Sequence, residues 1–310
     1  MTSKKHQPSE GVAFTGLVIA AFLWGLSYPL IKYVEDCPTF YIISIRFAAA
    51  AVALGLIFRK RFKLFNLETL KYGFLLSFVL TSMFIFNIIG IRYTTSVRAS
   101  FFTCLSFLIV PVLNAIMYRV KISKIIGISA TICLVGMLLL CYAPGMGGVS
   151  LNFGDILCIV ASVAGSLHIL FVEKVAKNDN VDSTLFTVFL LAFISLWGTI
   201  IGLFTGELNY SAATPAHLGA IILMGLLCSA AAFTLQSNFE AVVPSNRVGV
   251  IFSLEPASGC ILSVLFLKET MSWTSWLGAA IIMLSIFYME WANNKDSKAK
   301  EAENVQQRKI

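Results

Sequence analysis

Residues 246–267 read NRVGVIFSLEPASGCILSVLFL, and this stretch decides the fold. After Arg247 it runs to Leu267 with Glu255 as its one acidic or basic side chain. As a helix it rises about 33 Å, enough to cross the hydrocarbon core of a bilayer. A carboxylate in the middle of such a run costs roughly 2.5–3.5 kcal/mol to insert, so it is expected to face a cavity rather than lipid. Pro256 follows it and cannot donate the backbone hydrogen bond that would close on Phe252. An acid beside a broken backbone ladder suits a proton or a cationic group. The bland alternative is a Glu255 that is neutral, or paired with Arg46, and only holds helices together.

Outward from this run the pattern recurs. The apolar runs are about 12–34, 40–58, 72–91, 97–118, 125–142, 154–173, 184–204, 216–239, 246–267 and 273–291. Most are continuous over about twenty residues, whereas strands of a membrane barrel are about ten residues long and alternate. The expected fold is therefore an all-α polytopic membrane protein with ten transmembrane helices. Composition agrees: 58% of the chain is hydrophobic and 13% charged, against about 45–50% and 25% in soluble domains. With 25 Phe the chain is too aromatic to be disordered. The gaps are short, so no soluble domain is inserted. A charged tail over 292–310 is expected to be disordered. The first run is too long for a signal-peptide core and lacks a small-residue cleavage site.

The 7 cysteines are odd in number, lie mostly inside the runs, and show no CxxC or Cys/His spacing. They read as small hydrophobes, so neither a metal site nor a disulfide framework is expected. No cofactor is expected either. A Gly-rich phosphate loop, HExxH and GxSxG are all missing, which argues against an ATPase or an intramembrane hydrolase.

The net charge of +7 is mostly topological. Lys and Arg fall before run 1, between runs 2 and 3, 4 and 5, 6 and 7, 8 and 9, and after run 10. The exceptions are Lys32, Arg46, Arg92, Arg98 and Lys268. By the positive-inside rule both termini, residues 1–11 and the tail, are expected in the cytoplasm, and the protein in the plasma membrane. Nucleic acid is not an expected partner, because the basic residues are spent on these gaps.

The chain also repeats. Ser96-Val97-Arg98-Ala99 opens run 4 and Ser245-Asn246-Arg247-Val248 opens run 9, 149 positions on. The same offset pairs Ser123 with Ser272, and Tyr28 in run 1 falls opposite His168 in run 6 at a similar spacing. Five runs are followed by five, over 12–142 and 154–291. Five is odd, so the second set starts from the opposite face, which makes an inverted repeat. Inverted repeats mark secondary transporters, with the site near the midplane between the halves.

Within the runs, few side chains can do chemistry. Arg46 lies two turns into run 2 and either snorkels outward or bridges a cavity. Lys32 is near a membrane surface and reads as snorkelling. Arg98 and Arg247 begin related runs, as interface anchors or as gating charges. His168 has no partner at ligand spacing, so it is an interior histidine or a cavity wall rather than a metal ligand. Trp24 and Tyr28 are one turn apart and share a helix face. That pair suits stacking on a solute, or plain aromatic packing. Asn87, Ser229, Gln236 and Glu240 are either interhelical glue or cavity lining. Gly198, Gly202 and Gly206 form a small-residue face for close packing, within a monomer or between the copies of a homodimer.

These residues resemble a known family. Ala21-Phe22-Leu23-Trp24-Gly25, with Lys32 and Arg46 after it, is similar to the opening of the EamA-type transporters of the drug/metabolite transporter superfamily. So is Tyr93 through Ser100. The fullest likeness runs from Pro244 to Gly278, through Ser253-Leu254-Glu255-Pro256, Leu267-Lys268-Glu269-Thr270 and Trp276-Leu277-Gly278. Where such proteins often carry a Glu after helix 4, this chain has Lys121 and Ser123. The resemblance implies ten helices in two inverted repeats and a central cavity. It also implies secondary transport of a small organic solute (amino acid, amine, metabolite or drug), more often export. Glu255 would then be the polar anchor, with Trp24, Tyr28 and Phe252 as aromatic walls. The expected partners are that solute, protons and membrane lipid. The alternatives are a facilitative channel-like pore or an uptake carrier for a cationic amine.

Overall fold

The computed structural model describes residues 9–94, 99, 102, 105–119, 121–142, 152–208, 211–268 and 272–307. Arg98, one of the expected gating charges, lies outside them.

The described chain is helical. α1 comprises Glu10–Gly25 and Ser27–Tyr33, with a kink at Leu26 between the pieces. α2 is Thr39–Ile57, α3 Leu67–Tyr93, α4 Ser106–Tyr118 and α5 Lys124–Cys141. α6 is Phe153–Ala176 and α7 Ser183–Thr205. α8 spans Pro215–Phe239 and α9 comprises Ser245–Phe252 and Leu254–Leu267. α10 is Trp273–Gln307. Seven of these helices are long and apolar enough to cross a membrane: α1, α2, α3, α6, α7, α8 and α9. Against the ten expected spans, α4, α5 and α10 carry shorter apolar stretches, Ile109–Tyr118, Lys124–Leu139 and Trp276–Met289.

Local chemistry sets the helix starts. The side chains of Ser9, Asn66, Ser123, Asp182 and Thr214 each cap a backbone N–H three residues on. Asn152 and Asp155 form a reciprocal capping box before α6. The tail departs from expectation. Helix α10 continues through residue 307 instead of giving way to disorder at 292. Its Lys, Ala, Glu and Gln residues are good helix formers, and a long preceding helix spares them the cost of nucleation.

The most extensive helix pairings all join the first five helices to the last five: α5 with α10, α3 with α6, α2 with α7, α1 with α9 and α1 with α8. The pattern is self-consistent under exchange of the halves. α3–α6 corresponds to α8–α1, α4–α6 corresponds to α9–α1, and α2–α7, α5–α10 and α4–α9 map onto themselves. Neither set of five is a separate packing unit.

Side-chain bonds sort the connections into two ends. At one end Arg61 pairs with Asp182, Asn66 Nδ2 donates to the Asn180 carbonyl, Asn178 bonds Glu68, and Arg247 pairs with Glu10. This joins the N-terminus with the α2–α3, α6–α7 and α8–α9 connections. At the other end Glu207 accepts from the Phe40 amide, Tyr33 packs on His217, Thr94 bonds Asp155, and Thr274 donates to the Tyr142 carbonyl. The first end is the lysine- and arginine-rich one.

Two glycine contacts fix the centre. A Cβ on Gly25 would fall 2.8 Å from the Gly259 amide nitrogen, and one on Gly259 would fall 2.5 Å from the Tyr28 ring. Bare backbone at both lets α1 and α9 touch. The Gly198 and Gly202 face packs within the chain, on Ile43 and Phe40 of α2.

Candidate functional site

The kink in α1, the break in α9 and an irregular turn in α8 surround one cavity. The α9 break falls at Ser253, where the ladder weakened by Pro256 gives out, and Ser253 Oγ donates to the Val250 carbonyl at 2.6 Å. In α8, Met224–Ala231 is wound as a π-helix, a feature common where helices serve sites. It places Ser229 to accept from Arg46 Nε at 2.8 Å.

The cavity holds about 80 Å³, several times what one water needs. Trp24 and Tyr28 of α1 line it, with Asn87 of α3 and His168 of α6. Gln236 of α8, and Phe252 and Glu255 of α9, complete the set picked out in the sequence, and Arg46 of α2 joins them. Both halves contribute. Tyr28 Oη donates to Glu255 Oε1 at 3.1 Å. Trp24 packs edge-on to Phe252 and Phe233 at 4.7 and 5.2 Å, and touches all three of the larger apolar clusters. It therefore both packs in the core and lines the cavity.

Arg46 turns inward rather than snorkelling. It is 3% exposed, and its guanidinium lies 5.4 Å from the ring centres of Phe47 and Phe84. It forms no direct ion pair with Glu255 among the described residues, though both line the cavity. His168 is 3% exposed, and neither ring nitrogen has a hydrogen-bond partner. The Trp24 Nε1 is likewise without one. Such groups are rare in buried sites and point to a ligand or water that the cavity admits. Lys32 is exposed, in keeping with snorkelling. Arg247 is not in the cavity. It is 8% exposed and bridges the start of α9 to Glu10 at the start of α1.

The sequence matches the EamA-like transporter family twice, over residues 12–142 and 152–291. The chain belongs to the EamA-like transporter family. This EamA-like protein is 28% identical over 290 residues to the "Uncharacterized transporter YetK" of Bacillus subtilis (strain 168), covering 89% of this chain and 86% of that one. An "Uncharacterized transporter" of Archaeoglobus fulgidus is 24% identical over 293 residues, 91% of this chain and 88% of the relative. A solved structure titled "Crystal structure of protein" superposes with a TM-score of 0.76 at 15% identity, over 93% of this chain and 99% of its own, which shows a shared fold. The chain is thus a multi-span membrane protein of a transporter family.

Three features of the EamA-like site escape the sequence. Arg46 turns inward to donate to Ser229, which lies in the π-turn of α8. Met83, Phe84 and Phe233 line the cavity but look like any other core residue in the chain. A larger apolar groove of about 540 Å³ continues along the seam of α3 and α6, from Leu76 and Phe171 to Lys174, Lys177 and Asn178. Along α3 its residues precede those of the cavity, and along α6 they follow, so groove and cavity lie end to end.

Proposed function

We propose that this chain is a secondary transporter of a small organic solute carrying an amine, exporting it by alternating access between two inverted five-helix repeats. The observation that carries the reading is the central cavity: one carboxylate, one guanidinium and a histidine, walled by aromatics, drawn from both halves. Glu255 would take the ammonium, the Trp24 and Phe252 rings would face it, and Arg46 would take a carboxylate where the solute is an amino acid. The exchange symmetry of the helix pairings supports two repeats with two related states. The sorting of connections into two ends supports ten crossings, with α4, α5 and α10 counted in, and both termini on the basic, cytoplasmic side. The groove ending at Lys174 and Lys177 would be the approach from that side. The plasma membrane is the membrane this reading assigns.

The test is flux. The purified protein would be reconstituted in liposomes and offered a panel of labelled amino acids, polyamines and tetraethylammonium, with and without a pH gradient. Saturable flux with counterflow, abolished in Glu255→Gln, is the expected result. Flux that neither saturates nor counterflows would favour a facilitative pore, and full transport by Glu255→Gln would remove the anchor. Flux only inward would make it an uptake carrier for a cationic amine.

A further inference from the structure

Gln236 and Glu240 are one turn apart at the basic end of α8. Gln236 Nε2 donates to Glu240 Oε1 at 2.8 Å. Glu240 is fully buried and Gln236 is 1% exposed. The remaining oxygens, Glu240 Oε2 and Gln236 Oε1, have no hydrogen-bond partner. Gln236 lines the central cavity and Glu240 does not. The carboxyl therefore stands behind the wall and the amide stands in it.

Two unpaired acceptors in one contact are short of a proton. An ionised carboxylate so deep, with one donor, is costly. Once Glu240 carries a proton, its hydroxyl is a donor. The Gln236 amide, whose oxygen and nitrogen ends have nearly the same shape, can turn to accept it. The turn moves the NH₂ to where the oxygen was, so an acceptor on the wall is exchanged for a donor. The proton comes from water at the basic end and returns there. Protonation breaks one O–H bond of a hydronium ion and forms one on Glu240, and deprotonation reverses both.

Few charges surround the pair. Of the helices packed on this part of α8, α7 carries no charged residue, and α1 carries Glu10, which Arg247 holds, and Lys32 at its far end. α6 brings Glu173, whose negative charge bears on Glu240. Glu173 is held by Lys177 and by the Ser245 amide. Glu240 lies one residue past the span. Its burial holds the carboxyl well above the usual carboxylate range; the Gln236 bond opposes this and Glu173 adds to it.

We infer that Glu240 is a proton-binding site and that Gln236 is an amide rotor reporting its protonation to the central cavity, whose wall it shares with Tyr28 and Glu255. The chemistry stands on the pair alone. The consequence, a coupling of solute to proton, rests on the transport reading.

The test is infrared difference spectroscopy between acid and alkaline buffer on the full chain in lipid, with protons as the probe. The wild type should show a protonated-carboxyl stretch that disappears in Glu240→Gln and persists in Glu255→Gln. Gln236→Leu should keep that band but shift it toward an unbonded carboxyl. Should Glu240→Gln fail to fold, Glu240→Asp must show the band displaced. An unchanged carboxyl region in Glu240→Gln or Glu240→Asp overturns the proton site, and an unshifted band in Gln236→Leu overturns the rotor. No solute enters the measurement, so its failure leaves the flux reading intact, and a silent flux assay leaves this one intact.

Discussion

Tyr28 and Glu255 stand 227 positions apart in sequence, yet the tyrosine hydroxyl donates to the carboxylate at 3.1 Å. The contact ties the kinked first helix to the broken ninth and sets the orientation of the acid in the cavity. A hydrogen bond to a charged group is worth about 1.5–3 kcal/mol. Tyr28→Phe keeps the ring and removes the donor. The expected outcome is a rise in KM for an amine solute of about tenfold, as 1.4 kcal/mol implies, with kcat little changed. Initial rates in proteoliposomes measure it.

His168 offers an opposite case. Its two ring nitrogens are buried without partners, and its ring meets Phe233 edge-on at 6.1 Å. Replacing an unpaired polar ring with an apolar one of similar shape tends to be neutral or stabilising. His168→Phe is expected to melt at or above the wild-type temperature while losing flux. A lower melting temperature would mean that the imidazole holds the fold together.

Ser229 carries the polar contact of Arg46. Ser229→Ala leaves a buried guanidinium without its acceptor, at a cost of about 1.5–3 kcal/mol. A lower unfolding midpoint in detergent is expected. Ser229→Thr, which keeps the hydroxyl, is expected to recover part of it.

The α1–α9 crossing is built on bare backbone. A Cβ on Gly25 would fall 2.1 Å from Ser258 Oγ and 2.8 Å from the Gly259 nitrogen. The serine can rotate away, but the backbone cannot. Gly25→Ala is expected to destabilise by about 1–3 kcal/mol. Gly25→Ala/Ser258→Ala should regain only part of this in a thermal melt.

The pH profile of stability follows from Glu240. Its folded-state carboxyl sits above the range it has in the unfolded chain, because it is buried. The folded state therefore binds the extra proton, and stability falls as pH rises from the ordinary carboxylate range to the raised value. Melting temperature across that window is expected to decline less in Glu240→Gln than in the wild type.

Much of this was legible beforehand, for a physical reason. Lipid forbids lone polar groups, so an isolated Asn87, His168, Gln236 or Glu255 in an apolar run has to face inward, and the structure brings all four to one cavity. Whether they bind a solute is a separate matter, addressed by flux. What stayed hidden depends on partners distant in sequence. Arg46 is as able to snorkel as to turn inward until Ser229 is placed beside it by the π-turn. The Gln236–Glu240 spacing leaves glue and cavity lining both open until burial and the bond between the two side chains are seen. The helical tail was obscured by its charge, since composition alone does not reveal the long helix it extends.

The dominance of pairings between halves also bears on biosynthesis. When the fifth helix leaves the ribosome, α2, α3 and α5 still lack the neighbours they will pack against most extensively. At about 5–20 residues per second, the second half takes roughly 7–28 s to follow. For that interval the nascent first half must wait in the bilayer as loose spans, exposed to membrane quality control. Synthesised as two separate polypeptides, the halves should find each other there and assemble.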